Sequence, residues 1–222
     1  MVQHTRLINS RFTSNTYILT KDGEDSVWII DPGDAQQILD CITAHKKGNV
    51  AGILLTHTHF DHFYGTNDIL MRYPSFSVYV ANKYGRDGLF DSRQNGSRYS
   101  ELGSVTLSVD TNIIYYGEEL SLWNGEVMKV IPTPGHSNDS VCLLVGNLLF
   151  SGDTLIKDVR TVTKLKGGSV EKLEESMKVI ATLKGNHLRV MPGHGDEFEL
   201  DKYDLEKMNN NPLRNQRICQ QL

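Results

Sequence analysis

The chain has 222 residues, of which 39% are hydrophobic and 23% charged, and its formal net charge is −4 at pH 7. This composition is typical of a folded globular protein and excludes a collagen, a coiled coil or a wholly disordered chain. The mild acidity argues against nucleic acid as a partner, because contacts with phosphate groups usually need a basic face.

No apolar run reaches the ~20 residues that a membrane-spanning helix needs, and none follows the first residues as in a signal peptide. We therefore expect no membrane partner and no secretion. Cys41, Cys142 and Cys219 are odd in number and far apart, which argues against a disulfide framework. These features favour a cytoplasmic location.

Short apolar strands and amphipathic helices alternate along the chain, an order typical of an α/β fold. Lys21-Asp22-Gly23 and Gly146-Asn147 each predict a β-hairpin. Ser169 can cap a helix whose apolar residues recur at helical spacing. The expected strands lie at 15–19, 26–30, 51–55, 77–80, 119–122, 127–131, 141–145, 148–150 and 188–191, with further helices after Asp34 and at 67–72.

No linker, repeat or low-complexity segment divides the chain, so we expect a single domain over residues 1–222. The segment 85–103 is polar and rich in glycine. We expect it to be a surface excursion rather than part of the core. Residues 196–222 are expected to form a short helical tail.

Three of the eight histidines lie within six residues, in the sequence H-T-H-F-D-H over residues 57–62. The cluster follows the strand predicted at 51–55, and α/β sheets bind ligands at the carboxyl ends of their strands. Imidazoles and carboxylates suit zinc, and also iron or manganese. Apolar neighbours would make these groups costly to bury without a metal, which argues against a solvated loop. The candidate ligands are His57, His59, Asp61 and His62.

Three later turns repeat this arrangement of a strand end, a glycine and a possible ligand. Each turn alone is weak evidence, because most Gly-His and Gly-Asp turns bind nothing. Together with the first cluster they indicate one metal site. The turns are Thr133-Pro134-Gly135-His136, Ser151-Gly152-Asp153 and Pro192-Gly193-His194-Gly195.

The motifs HTHFDH, TPGHS, SGDTL and PGHG, in this order, resemble those of the metallo-β-lactamase superfamily, and within it the glyoxalase II-like hydrolases. The resemblance runs from Asp31 to Pro212. It implies a four-layer αββα sandwich whose two sheets share one metal-bearing edge. It also implies two metal ions per chain, zinc first and iron or manganese as alternatives. The implied ligands are His57, His59 and His136 for the first ion, Asp61, His62 and His194 for the second, and Asp153 for both.

The resemblance further implies a metallo-hydrolase that attacks the thioester or ester carbonyl of a small-molecule substrate with a metal-bridging hydroxide. Asp61 would be the catalytic residue, because it would orient this nucleophile and accept its proton. Two related activities remain as alternatives, a persulfide dioxygenase with a single iron and a lactonase. A non-enzymatic metal-binding module is the alternative from another class.

The sequence after Leu155 departs from the glyoxalase II pattern. An aromatic residue and a Gly-Arg or Gly-Lys element are usual there, whereas this chain has Ile156-Lys157-Asp158-Val159-Arg160-Thr161. The chain also has only 27 residues after Gly195. We therefore expect small acyl thioesters to be preferred over glutathione conjugates. Candidates for contact with an anionic substrate are Lys157, Arg160 and Arg93.

Overall fold

The computed structural model of the protein describes residues 1–108 and 111–205. Within these ranges, twelve strands form two six-stranded sheets. The first sheet has the order β1-β2-β3-β4-β5-β6 and the second has the order β12-β11-β10-β9-β8-β7. The strands of the first sheet are β1 (Val2–Ile8), β2 (Asn15–Lys21), β3 (Ser26–Ile30), β4 (Asn49–Leu54), β5 (Ser77–Val80) and β6 (Asn112–Tyr115).

The strands of the second sheet are β7 (Glu119–Trp123), β8 (Glu126–Pro132), β9 (Val141–Val145), β10 (Leu148–Gly152), β11 (Arg189–Pro192) and β12 (Phe198–Glu199). The α-helices are α1 (Ala35–Ala44), α2 (Thr66–Arg72), α3 (Lys83–Gly88) and α4 (Val170–Thr182). Ser169 caps α4 as expected, since its side chain accepts a hydrogen bond from the backbone N–H of Lys172.

Three apolar clusters separate four layers. The middle cluster lies between the sheets and joins residues such as Leu19 and Ile30 of the first sheet to Leu143 and Phe150 of the second. A second cluster buries α1 and α2 against the outer face of the first sheet. The third buries α4 against the second sheet through Ile180. Burial of both faces of each sheet gives the αββα sandwich that the family resemblance implied.

Strand direction brings several carboxyl ends to one edge of each sheet. In the first sheet, β4 runs parallel to β3 and β5. In the second sheet, β8 and β10 are both antiparallel to β9, and β11 is parallel to β10. The loops that follow β8, β10 and β11 therefore start from the same edge of the second sheet.

Both predicted hairpins are confirmed, because β2 pairs with β3 and β9 pairs with β10 in antiparallel register. The prediction of the segment 85–103 as a surface excursion holds only in part. Phe90, Arg93 and Tyr99 are exposed. Leu89, Asn95 and Ser97 are buried there, and α3 begins just before it. Burial follows from internal hydrogen bonds, since the side-chain amide of Asn95 donates to the carbonyls of Gly88 and Val105 at 2.8 and 2.9 Å.

The prediction of a helical tail over residues 196–222 is wrong at the start of that segment. Phe198 and Glu199 form a strand that pairs with β11, and Leu200–Lys202 is a short 3-10 turn. Buried apolar side chains explain the difference, because Phe198 and Leu200 pack into the third cluster. The remainder of that prediction, from residue 206, lies outside the described residues. Among the helices that are described, none combines the length and the apolar character needed to cross a membrane.

Candidate metal centre

Four loops at strand ends carry the seven predicted ligands. His57, His59, Asp61 and His62 follow β4, with the last two in a 3-10 turn at Phe60–His62. His136 follows β8, Asp153 follows β10 and His194 follows β11. The side chain of Asp153 is 13% exposed, and the other six residues are at most 8% exposed. Contributions from both sheets make this edge of the sandwich a buried polar cluster.

The possible ligand atoms fall into three overlapping groups, and within each group the atoms lie within 4.8 Å of one another. His57 and His62 each belong to two groups, so the groups form one continuous cluster. The groups are His57, His59 and His136; His57, His62 and Asp153; and Asp61, His62 and His194. The structure thus brings together all seven residues that the sequence singled out.

Asp153 lies between the histidines of the outer groups. Its carboxylate oxygens are 3.5 Å from Nε2 of His62 and 3.6 Å from Nε2 of both His136 and His194. On the far side, Asp61 Oδ2 is 3.2 Å from Nε2 of His194. A carboxylate with three imidazole nitrogens at such distances is arranged to share in more than one ligand set.

Hydrogen bonds fix which nitrogen of three histidines carries the proton. Nδ1 of His62 donates to Asp31 at 3.0 Å, and Nδ1 of His136 donates to the carbonyl of Val162 at 2.8 Å. The Thr56 hydroxyl donates to Asp31 at 2.6 Å, so its oxygen accepts from Nδ1 of His57 at 3.1 Å. In the neutral form of each ring, Nε2 is therefore the nitrogen without a proton, as in a metal-binding histidine. Nε2 of His136 lies 2.8 Å from Nδ1 of His59.

Unpaired polar atoms test whether the cluster suits a metal. Among the described residues, buried side-chain atoms without a hydrogen bond include Nε2 of His57, Nε2 of His62 and Oδ1 of Asp153. Leaving a buried donor or acceptor unpaired costs about 1–3 kcal/mol, so three in one cluster call for an explanation. These atoms, with imidazole and carboxylate chemistry, fit a bound divalent cation.

Burial and neighbouring charges shift the pKa values in opposite directions across the cluster. Burial, reinforced by nearby histidines, lowers the pKa of His57 and lowers that of His59 to about 3. Burial opposes ionisation of His62 and His194 as well, but the carboxylates of Asp61 and Asp153 outweigh it and raise the pKa of both. Asp61 stays ionised, because interactions with His62 and His194 outweigh burial and lower its pKa to about 2.

Comparison with known proteins places this geometry in a family, since the sequence pattern of the metallo-β-lactamase superfamily matches residues 10–194. The chain belongs to this superfamily. A probable metallo-hydrolase of Streptococcus pyogenes is 32% identical over 195 residues, which cover 86% of this chain and 82% of that protein.

Two further proteins are similar to the chain. A hydroxyacylglutathione hydrolase of Pseudoalteromonas translucida is 29% identical over 172 residues, and the match covers 77% of this chain but only 57% of that enzyme. The crystal structure of the B3 metallo-beta-lactamase BLEG-1 superposes with a TM-score of 0.81 at 27% identity, covering 95% of this chain and 98% of that one.

The three predicted substrate-contact residues are not part of the ligand cluster. Lys157, Arg160 and Arg93 are exposed. Thr161, next to Arg160, donates its hydroxyl hydrogen bonds to the carbonyls of Asp153 and Thr154 at 3.2 and 3.0 Å. The loop that carries Arg160 is therefore tied to the candidate ligand loop, while its cationic side chain faces solvent.

Sequence reasoning assigned no role to Asp31 and Thr56, which orient His57 and His62. The available signal was the Asp31-Pro32-Gly33 turn directly after β3. Asp31 has a φ of 52°, in the left-handed region that non-glycine residues seldom occupy. Such a conformation is found where surrounding contacts impose it, often near a functional site.

Proposed function

We propose that this protein is a metal-dependent hydrolase that binds two ions, zinc foremost, and cleaves the thioester or ester bond of a small-molecule substrate. The observation that carries the proposal is the position of the Asp153 carboxylate, within 3.6 Å of His62, His136 and His194. One carboxylate can then serve two adjacent ligand sets, as in enzymes that use paired metals.

We assign His57, His59 and His136 to one ion and Asp61, His62 and His194 to the other, with Asp153 shared. The grouping of atoms within 4.8 Å supports this division. Bound ions of this kind lower the pKa of water toward ~7 and polarise a carbonyl oxygen, which allows hydrolysis without a serine or cysteine nucleophile.

The chain's own residues hold and orient the reacting groups. Asp61 is proposed to orient the attacking water and to accept its proton, since its carboxylate is ionised and faces the cluster 3.2 Å from Nε2 of His194. Asp31, through His62 and through Thr56, keeps two imidazoles in the tautomer that leaves Nε2 free. These fixed hydrogen bonds reduce the reorganisation that binding and reaction require.

A thioester is the preferred substrate class because of the similarity to a hydroxyacylglutathione hydrolase. The residues after Leu155 lack the cationic pattern of glyoxalase II-like enzymes, and Lys157 and Arg160 are exposed. Binding energy from remote parts of a substrate positions its reacting carbonyl. Without such anchors, we expect little gain from glutathione and a preference for short acyl thioesters.

Metal content measured together with thioester turnover tests the proposal. Purified protein should contain two zinc ions per chain and should hydrolyse the N-acetylcysteamine thioester of lactate, whereas Asp153→Ala should lose both properties. One iron per chain with oxygen consumption would instead indicate a persulfide dioxygenase. Two zinc ions without turnover of any thioester or ester would refute the hydrolase assignment.

The lactate thioester of glutathione serves as the matched substrate, because its acyl group is the same. We expect kcat/KM for the two thioesters to agree within an order of magnitude. A hundredfold preference for glutathione, equivalent to ~2.7 kcal/mol of transition-state binding, would show that anchors for glutathione exist.

We also propose a cytoplasmic location. Cys41 and Cys142 are free thiols in the structure, which suits a reducing compartment. Fractionation of the native cells followed by immunodetection checks this assignment, and recovery of the protein outside the cytoplasmic fraction would refute it.

A further inference from the structure

The second candidate ligand set comes from two segments far apart in the chain. Asp61 and His62 follow β4 of the first sheet, whereas His194 follows β11 of the second sheet. A metal set needs its ligands held within a fraction of an ångström, so some element must fix one segment against the other. Ser14 and Asn15, at the start of β2, contact both segments.

Asn15 binds the turn that carries His194. Its backbone N–H donates to the carbonyl of Gly193 at 2.6 Å. Its side-chain amide donates to the carbonyls of Pro192 and Gly195 at 2.9 and 2.8 Å. The three residues that flank His194 in this turn therefore all have their carbonyls bound by Asn15, which is 1% exposed.

Ser14 contacts the other segment as well as His194. Its hydroxyl donates to the backbone carbonyl of Asp61 at 2.8 Å. Its backbone also forms an isolated antiparallel bridge with His194. Ser14 is fully buried, so water does not compete for these hydrogen bonds.

We propose that Ser14 and Asn15 are positioning residues that set the distance between Asp61 and His194, and thereby the affinity for the second ion. The inference rests on the two-ion function proposed above. Neither side chain is a candidate ligand, so each acts through backbone carbonyls next to the ligands. The Asn15 amide has two N–H donors on one nitrogen, so it can give each of the carbonyls of Pro192 and Gly195 its own hydrogen bond, which identifies Asn15 as the main contributor.

The fold should survive the loss of the Asn15 side chain, because both carbonyls keep another donor. The Tyr17 hydroxyl donates to the carbonyl of Pro192 at 2.8 Å. Arg6 donates to the carbonyl of Gly195 at 3.1 Å. Asn15→Ala thus removes two of the three hydrogen bonds by which Asn15 holds the turn, without leaving either carbonyl unpaired.

Asn95→Ala is the matched control. Asn95 is also 1% exposed, and its side-chain amide also donates to two carbonyls, those of Gly88 and Val105 at 2.8 and 2.9 Å. The hydrogen bonds of its side chain reach neither the turn 192–195 nor the carbonyl of Asp61. Its backbone carbonyl accepts from the N–H of Phe60 at 3.1 Å, and alanine retains that bond. Asn15→Ala removes two side-chain hydrogen bonds, whereas Asn95→Ala removes three, because the Asn95 amide oxygen also accepts from the backbone N–H of Ser97 at 2.9 Å. The control is therefore at least as large a loss of buried hydrogen bonds, but only Asn15→Ala should alter the second ligand set.

Zinc binding to the metal-free proteins is titrated against a chelator of known affinity, and metal-free thermal unfolding is recorded beside it. We expect Asn15→Ala to lower the affinity for the second ion by roughly 10–100-fold and to leave the affinity for the first ion unchanged. Ser14→Ala should lower the affinity for the second ion by a smaller factor, and Asn95→Ala should leave both affinities unchanged. If Asn15→Ala does not fold, a selective loss of the second ion in Ser14→Ala decides in favour of the inference.

Two results would overturn the inference. The first is an equal drop in affinity for both ions in Asn15→Ala and in Asn95→Ala. Asn15 would then have only a general structural role, while the two-ion function would stand. A wild-type protein that binds no second ion would overturn the proposed function and this inference together.

Discussion

Nδ1 of His62 donates a hydrogen bond to the carboxylate of Asp31 at 3.0 Å, and both side chains are almost fully buried. The same carboxylate accepts hydrogen bonds from the backbone N–H and the hydroxyl of Thr56, at 2.8 and 2.6 Å. Since Thr56 in turn contacts Nδ1 of His57, one carboxylate orients two candidate ligands. Partners of this kind tune metal affinity although they do not touch the metal.

Asp31→Asn should therefore weaken metal binding without removing a ligand. An asparagine presents one acceptor and two donors to three groups that all donate, so at least one hydrogen bond is lost. We expect a drop of roughly 10–100-fold in metal affinity, measured by titration against a chelator. Asp25→Asn is the control, because Asp25 is exposed and accepts from the Gly48 N–H in the turns where β3 and β4 begin. Unchanged affinity in Asp31→Asn would show that His62 needs no such partner.

The shared role of Asp153 predicts a different outcome from loss of Asp61. Asp153→Ala should lower metal content and activity together, because its carboxylate lies among histidines of both sets. Asp61→Ala should retain about one ion per chain and lose turnover, since the ion pairs of the Asp61 carboxylate among the described residues are with His62 and His194 of the second set. Metal analysis after dialysis distinguishes the two variants. Equal metal loss in both would contradict the division of roles.

Much of the site was predictable from the sequence because each ligand follows a strand. The residues 57–62 are adjacent in the chain, and an apolar strand followed by a glycine turn identified the loops of His136, Asp153 and His194. The edge strands β1 and β6 were not predicted. Their residues are mostly half-buried or exposed, so apolar alternation is weak there.

Contacts between distant segments could not be predicted in this way. The hydrogen bond from Asn15 to Pro192 joins residues 177 positions apart, and no periodicity in the chain encodes it. The prediction for the segment 85–103 missed its buried positions for a related reason. Its polar residues suggested solvent, but Asn95 is buried because its amide is paired with backbone carbonyls. Composition reports polarity, whereas burial depends on whether partners are available.

The opposite pKa shifts predict that acid removes one ion before the other. Metal binding requires neutral imidazole, and the raised pKa values of His62 and His194 mean that protons compete at these residues. His57 and His59 have lowered pKa values, so both rings are neutral near pH 7 and a metal need not displace a second ring proton. Between pH 8 and pH 6, affinity for the second ion should fall by about tenfold per pH unit for each displaced proton.

Zinc titrations at several pH values check this order, with the first ion as the internal reference. The sign follows from the direction of the shifts. An imidazole with a raised pKa is already protonated nearer to neutral pH, so it must lose that proton before it can bind the metal, and this becomes more costly as the pH falls. An equal decline for both ions, or an earlier loss of the first, would contradict it.

Gly193 provides the most stringent test of how tightly the ligands are packed. A Cβ atom on this residue would lie 2.3 Å from Oδ1 of Asp153 and 2.8 Å from Cε1 of His62. Both distances are far below van der Waals contact, so an alanine must displace a candidate ligand. Gly193 does not have a positive φ, so its backbone conformation is open to alanine. The third atom near the new Cβ is the backbone carbonyl carbon of Gly152 at 3.0 Å, next to Asp153, so all three clashes fall on the candidate ligand loops.

Gly193→Ala should reduce the metal content per chain well below the wild-type value. It should also lower kcat/KM by at least roughly 10–100-fold, the loss expected when groups that orient metal ligands are disturbed. Gly117→Ala is the matched control, because Gly117 is exposed and its nearest atom, the carbonyl oxygen of Glu119, would lie 3.6 Å from the new Cβ. Metal analysis and circular dichroism of both variants separate a local effect from unfolding. A folded Gly193→Ala protein with the full metal content would mean that Asp153 and His62 can move apart without losing the ions, and the shared-carboxylate arrangement would then have to be abandoned.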